Sequence, residues 1–294
     1  MDTLVKQMKY KDREEALWVA RIAEQTEQYT DMVDIMRPYI ENKDPNTDLS
    51  QEERALLSVA YKNSVGLKRI AWRAAKKALK THKFSAYHAH IEEYVKVLEE
   101  ELVDICKELL GLITKTLYPQ AKKLKNTEAM VYYLKMKGDY YRYVAEVSSG
   151  ERHKKGIDRC LKEYNDGIGL AENLQPGDPT RLSLQLNFSI FCFESLAEEQ
   201  QALDMANQAI EEAEEHLETV EKSKQFESTT IMTFLKENVK SWQQKLNDAQ
   251  HERDYAENSK RNLFSQNDSE AQFVEQSAID DEDEFDDDSQ IEYD

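Results

Sequence analysis

The chain has 294 residues, 33% of them charged and 40% hydrophobic, with only 8 Gly and 5 Pro. So few turn formers exclude a sandwich or barrel of many short strands, and no apolar run reaches the roughly 18–20 residues that cross a bilayer. The net charge of −19 argues against nucleic acid and membrane partners; thirteen acidic residues and no Lys or Arg fall in 262–294, which leaves residues 1–261 at −6.

The opening residues, Met-Asp-Thr-Leu-Val-Lys-Gln, lack the apolar block of a signal peptide. Cys106, Cys160 and Cys192 are odd in number and far apart, the pattern of reduced thiols in a cytoplasmic protein. Helical periodicity covers most of residues 12–255. Breaks are expected near 29–30, 41–50, 81–85, 118–126, 148–152, 175–178, 198–199 and 220–225, giving an all-α chain of about nine antiparallel helices. Ser50 with Glu53 three residues on forms a capping box, and Gln175-Pro176-Gly177-Asp178-Pro179 stops one helix and caps the next.

The third helix places Lys62, Arg69 and Arg73 on one face, with Gly66 between them leaving room for a ligand. The fifth carries Lys135, Asp139, Arg142 and Glu146 as a stripe, which by spacing pairs Lys135 with Asp139 and Arg142 with Glu146. Further on, Leu186 and Ile190 share a face beside Asn187, and Ile231, Phe234, Asn238 and Trp242 form a second apolar stripe. An Asn within such a stripe bonds either a neighbouring helix or the backbone of a guest. Residues 1–255 make up the helical domain. Residues 256–294 are polar, without a helical stripe, and read as a disordered acidic tail.

No glycine loop for a nucleotide phosphate, no C-x-x-C, no H-E-x-x-H and no nucleophile elbow occurs. His88 and His90 are two apart, on different faces of a helix. No catalytic residue, metal or cofactor is expected, and the chain is not expected to be an enzyme.

Three strings carry a family resemblance: Leu56-Leu57-Ser58-Val59-Ala60-Tyr61-Lys62-Asn63, the run from Tyr133 to Tyr143, and Leu186-Asn187-Phe188-Ser189. From about Ala16 to Trp242 the chain closely resembles 14-3-3 proteins. The resemblance implies a cup of nine helices whose concave groove takes phosphoserine or phosphothreonine proteins. It assigns the phosphate to Lys62, Arg69, Arg142 and Tyr143. It assigns the peptide backbone to Asn187 and Asn238, and the apolar wall to Leu186, Ile190, Ile231, Phe234 and Trp242. Phe234 and Ser241 stand where the family has leucine. The alternative is a scaffold that keeps the helices but no longer takes external phosphopeptides.

The resemblance also implies a dimer. The cations of both family ion pairs are missing, since Asp31 would face Val97 and Glu101 would face Gln28. A more apolar seam of Trp18, Ile22, Tyr94 and Val97, with unusual geometry, is expected instead. In the tail, Ser289 follows three aspartates and precedes Glu292, a context that acidophilic kinases prefer. Phosphorylated, it is expected to occupy the groove of its own protein. Arg37 is expected to be an exposed cation outside the site.

Overall fold

A computed structural model describes Val5 and residues 8–280, with side chains through Tyr255. Nine helices and no strand occur among the described residues. They are α1 Arg13–Gln25, α2 Tyr29–Glu41, α3 Gln51–Leu79, and α4, which joins His88–Leu112 to Tyr118–Lys123 through one π turn at Ile113–Leu117. Then come α5 Thr127–Glu146, α6 Gly150–Ala171, α7 Pro179–Phe191, α8 Glu199–His216 and α9 Lys222–Asp280. No helix of the described residues is long and apolar enough to cross a membrane. The chain divides into two compact units between Lys236 and Glu237. The first holds α1 to α8 and the start of α9; the second is the continuation of α9.

The helix starts follow local chemistry. Ser50 Oγ accepts from the Glu53 amide at 3.2 Å while Glu53 Oε2 accepts from the Ser50 amide at 2.7 Å, the expected capping box. Asn126 caps α5 through the Ala129 amide at 3.1 Å, and Asp178 caps α7 through Thr180 at 2.8 Å with Pro179 in the first turn. Two boundaries differ from expectation. The break expected from Tyr118 falls later, after Lys123, because the π turn absorbs an extra residue without ending the helix. Helical backbone also passes the expected boundary at residue 256 and runs to Asp280. Its Ala, Glu, Gln, Lys and Arg favour a helix even without an apolar stripe. Residues 281–294, Ser289 among them, lie outside the described residues.

Within the first unit, Leu57 and Tyr61 of α3, Leu102, Cys106 and Leu109 of α4, and Tyr133, Met136 and Tyr140 of α5 are buried together. The Tyr61 hydroxyl donates to Glu108 Oε1 at 2.6 Å, and Arg37 reaches Oε2 of the same carboxylate at 2.9 Å. Arg37 is therefore a partly buried member of a core network and not the free surface cation expected.

The α5–α6 seam depends on two glycines. A Cβ at Gly138 would lie 2.6 Å from the Tyr164 ring, and one at Gly156 2.9 Å from Ala145 Cβ. Their absence lets the two helices approach closely. Tyr164 then stacks on Phe188 of α7 at 5.2 Å between centroids, and lies 5.6 Å from Phe191. Aromatic pairs of this kind contribute about 0.5–1.5 kcal/mol each beyond the area they bury, so they tie α6 to α7 behind the site described next.

Candidate functional site

Asp139 lies at the centre of a polar cluster inside the first unit. One carboxylate oxygen accepts from the Tyr164 hydroxyl at 2.6 Å and from Asn187 Nδ2 at 2.8 Å. The other accepts from Lys135 Nζ at 3.2 Å and from the same Asn187 nitrogen at 3.0 Å. Arg142 Nη2 stands 3.8 Å away. A buried carboxylate left alone costs several kcal/mol, and these four partners offset that cost. Burial pulls the Lys135 ammonium down, but the Asp139 carboxylate outweighs it and holds its pKa above the ordinary value.

The aromatic ring of Tyr143 gathers the two arginines assigned to the phosphate. The Arg69 guanidinium lies 4.3 Å from the ring centroid and that of Arg142 4.9 Å, so α3 and α5 deliver them to the same place. Arg69 Nε donates to Glu146 Oε2 at 2.6 Å, and Arg73 Nε donates to Glu146 Oε1 at 3.0 Å. Burial pushes the Glu146 carboxyl up, and the bonds from Arg69 and Arg73 more than reverse it, holding the group below the usual carboxylate value. Lys62, two turns before Arg69 on the same face of α3, is exposed and has no ion-pair partner among the described residues.

The pairing expected from spacing is therefore half right. Lys135 does pair with Asp139. Arg142 does not pair with Glu146, because the approach of α3 gives that carboxylate to Arg69 and Arg73, and Arg142 turns back toward Asp139. Arg142 is 15% exposed and its Nε is buried without an acceptor. Five cations, Lys62, Arg69, Arg73, Lys135 and Arg142, thus stand against three carboxylates, Asp139, Glu146 and Glu194. A cavity of about 280 Å³ opens beside them, lined by Arg69, Arg73, Arg142, His153 and Glu194. A cationic surplus and an idle buried N–H suit an incoming oxyanion.

Of the other sequence-assigned residues, Leu186, Asn187 and Ile190 are half-buried on α7, Ile231 is buried on α9, and Phe234 is 50% exposed. Asn238 and Trp242 lie past Lys236, on the part of α9 in the second unit. Trp18, Ile22, Tyr94 and Val97, the residues expected at a dimer seam, are 54%, 51%, 55% and 45% exposed, much for large apolar groups. Leu67 and Ile70 of α3, not assigned from the sequence, are exposed as well. Glu101 takes Lys68 of its own chain at 2.6 Å. Among the described residues no group of three or more His, Cys, Asp or Glu could hold a metal ion.

Sequence reasoning missed Asp139 as the organiser, Tyr164, and Glu146 as the shared partner of Arg69 and Arg73. The one local signal was Gly138 immediately before an acid, a close-approach position beside a charge that must be partnered.

A family model described as "14-3-3 protein" matches residues 19–243. The 14-3-3 protein zeta of Bombyx mori is 41% identical over 233 residues, which cover 79% of this chain and 92% of that relative. The 14-3-3 protein 10 of Solanum lycopersicum is 40% identical over 234 residues, 78% of this chain and 92% of its own length. The 14-3-3-like protein 2 of Caenorhabditis elegans is 40% identical over 232 residues, 78% and 91% respectively.

Proposed function

This chain belongs to the 14-3-3 family, and on that premise we propose that it is a non-catalytic adaptor that binds phosphoserine and phosphothreonine proteins. The observation that carries the proposal is the convergence of Arg69 and Arg142 on the Tyr143 ring, with Arg142 Nε left without an acceptor. A phosphoserine brings close to two negative charges and three acceptor oxygens. The two guanidinium forks, the Lys62 ammonium and the Tyr143 hydroxyl supply matching donors. Each charge-assisted bond adds about 1.5–3 kcal/mol net, so three of them separate a phosphorylated from a bare peptide by several kcal/mol.

Asn187 is held by Asp139 at a fixed angle and offers its remaining carbonyl oxygen to a peptide amide. Leu186, Ile190, Ile231 and Phe234 supply the apolar wall. Asn238 and Trp242 are assigned to the peptide by family resemblance alone. The adaptor works as a dimer whose seam uses Trp18, Ile22, Tyr94 and Val97 in place of the missing ion pairs.

The acidic C-terminal segment regulates the site. Phosphorylated Ser289 competes with clients, aided by a tethered effective concentration that reaches the millimolar range. The experiment compares client-peptide affinity for full-length protein phosphorylated at Ser289, the Ser289→Ala protein, and a chain ending at Asp280. Weaker binding by the first alone supports regulation; equal affinities contradict it. For the adaptor itself, one peptide is titrated with and without its phosphate. Equal binding of the two forms, or none, favours the scaffold reading that the Phe234 and Ser241 replacements motivate.

A further inference from the structure

On the other side of the α5–α6 seam from Arg142 lies a second basic cleft. Tyr141 and Val144 of α5 meet Lys107 and Leu110 of α4, and the first turns of α6 complete a cavity of about 540 Å³. Arg152, Lys155 and Arg159 recur along α6 and all line it. None of the three has an ion-pair partner among the described residues, while Lys107 shares an exposed Asp104 at 3.2 Å. Glu151 is the single carboxylate of the lining. The Arg159 guanidinium lies over the Tyr141 ring at 5.6 Å.

Four exposed cations gather around one cavity with Glu151 as the lining's one carboxylate, and they do so in a chain of net charge −19, so the cleft is a local positive patch that attracts anions. The start of α6 at Gly150 adds the positive end of a helix to the same rim. A single phosphate is too small to reach cations spread over nearly two helical turns, about 10 Å along α6. The floor of Leu110, Val144 and the Tyr141 ring is apolar, with a flat aromatic face. We propose that this cleft binds an oligophosphate, free or carried by a nucleotide, at a site separate from the phosphopeptide site. Lys107, Arg152, Lys155 and Arg159 hold the phosphate chain, and Tyr141 offers its face to a base.

The test is calorimetric titration of the full-length protein with tripolyphosphate, ATP and inorganic monophosphate at fixed low salt. Tripolyphosphate binds and monophosphate binds at least about ten-fold more weakly. ATP tighter than tripolyphosphate identifies the nucleotide as the preferred source; equal affinity identifies the phosphate chain alone. Arg152→Ala/Arg159→Ala weakens tripolyphosphate about ten-fold or more and leaves phosphopeptide affinity and helicity unchanged. Arg142→Ala leaves tripolyphosphate binding within about two-fold of wild type. The proposal is overturned if tripolyphosphate fails to bind, if the Arg152/Arg159 variant binds it normally, or if Arg142→Ala abolishes it. It is also overturned if an acidic peptide of residues 280–288 binds this cleft more tightly than tripolyphosphate.

Discussion

The Tyr164 hydroxyl donates to Asp139 across the α5–α6 seam at 2.6 Å, and Gly138 is the residue that lets it come so close. That bond fixes a carboxylate which in turn orients Lys135, Asn187 and Arg142. The geometry of the candidate phosphate site is thus set from behind, by a packing contact between two helices.

Gly138→Ala should therefore lower stability. Its Cβ meets the buried Tyr164 ring, which is wedged against Phe188 and Phe191 and cannot swing away. Overpacking of this kind costs about 1–3 kcal/mol. Gly66→Ala should act in the opposite direction, because nothing lies within 4 Å of its new Cβ. Relief of glycine's conformational freedom inside α3 adds about 0.5–1 kcal/mol. Urea unfolding of both variants checks the pair; an unchanged midpoint for Gly138→Ala contradicts the packing argument.

Glu146 links the site to pH. Its folded-state carboxyl is held below the ordinary value of 4.5 by Arg69 and Arg73. The resulting stability is present above about pH 4.5 and is lost as pH falls through the lower, folded-state value. Glu146→Gln removes that titration, so its stability should fall less steeply than wild type between about pH 5 and pH 3. Thermal melts across this range measure it; parallel curves for the two proteins contradict the linkage.

The seam is predicted to be apolar. Ile22→Asp places a charge beside Trp18 and should shift dimer to monomer in sedimentation without loss of helicity. Raising salt from about 0.1 to 1 M should leave the wild-type dimer intact, since screening weakens ion pairs and not apolar burial. A dimer that survives Ile22→Asp, or dissociates in salt, contradicts this seam.

What the sequence disclosed was mostly local. The Ser50–Glu53 capping box, the Asp178-Pro179 helix start and the Lys62–Arg69 face each depend on residues a few positions apart, and helical geometry alone places them. The partner of Arg142 was not legible. Spacing offers Asp139 and Glu146 almost equally, and only the arrival of Arg69 and Arg73 from α3 decides between them. Tyr164 was invisible for the same reason, being 25 residues from the carboxylate it holds. The passage of α4 through its π turn and the length of α9 were missed because composition marks turn formers and apolar stripes, and neither element depends on them. The exposure of Phe234 and the burial of Arg37 are likewise tertiary outcomes.

Phosphopeptide binding, as proposed, depends above all on Arg142 holding the phosphate. Its most direct test is titration of one phosphoserine peptide into wild-type protein and Arg142→Ala at the same salt concentration. A loss of about 1.5–3 kcal/mol, roughly ten-fold or more in affinity, is expected for the phosphorylated peptide, with no change for the unphosphorylated one. Equal affinity of wild type and Arg142→Ala for the phosphorylated peptide would contradict it.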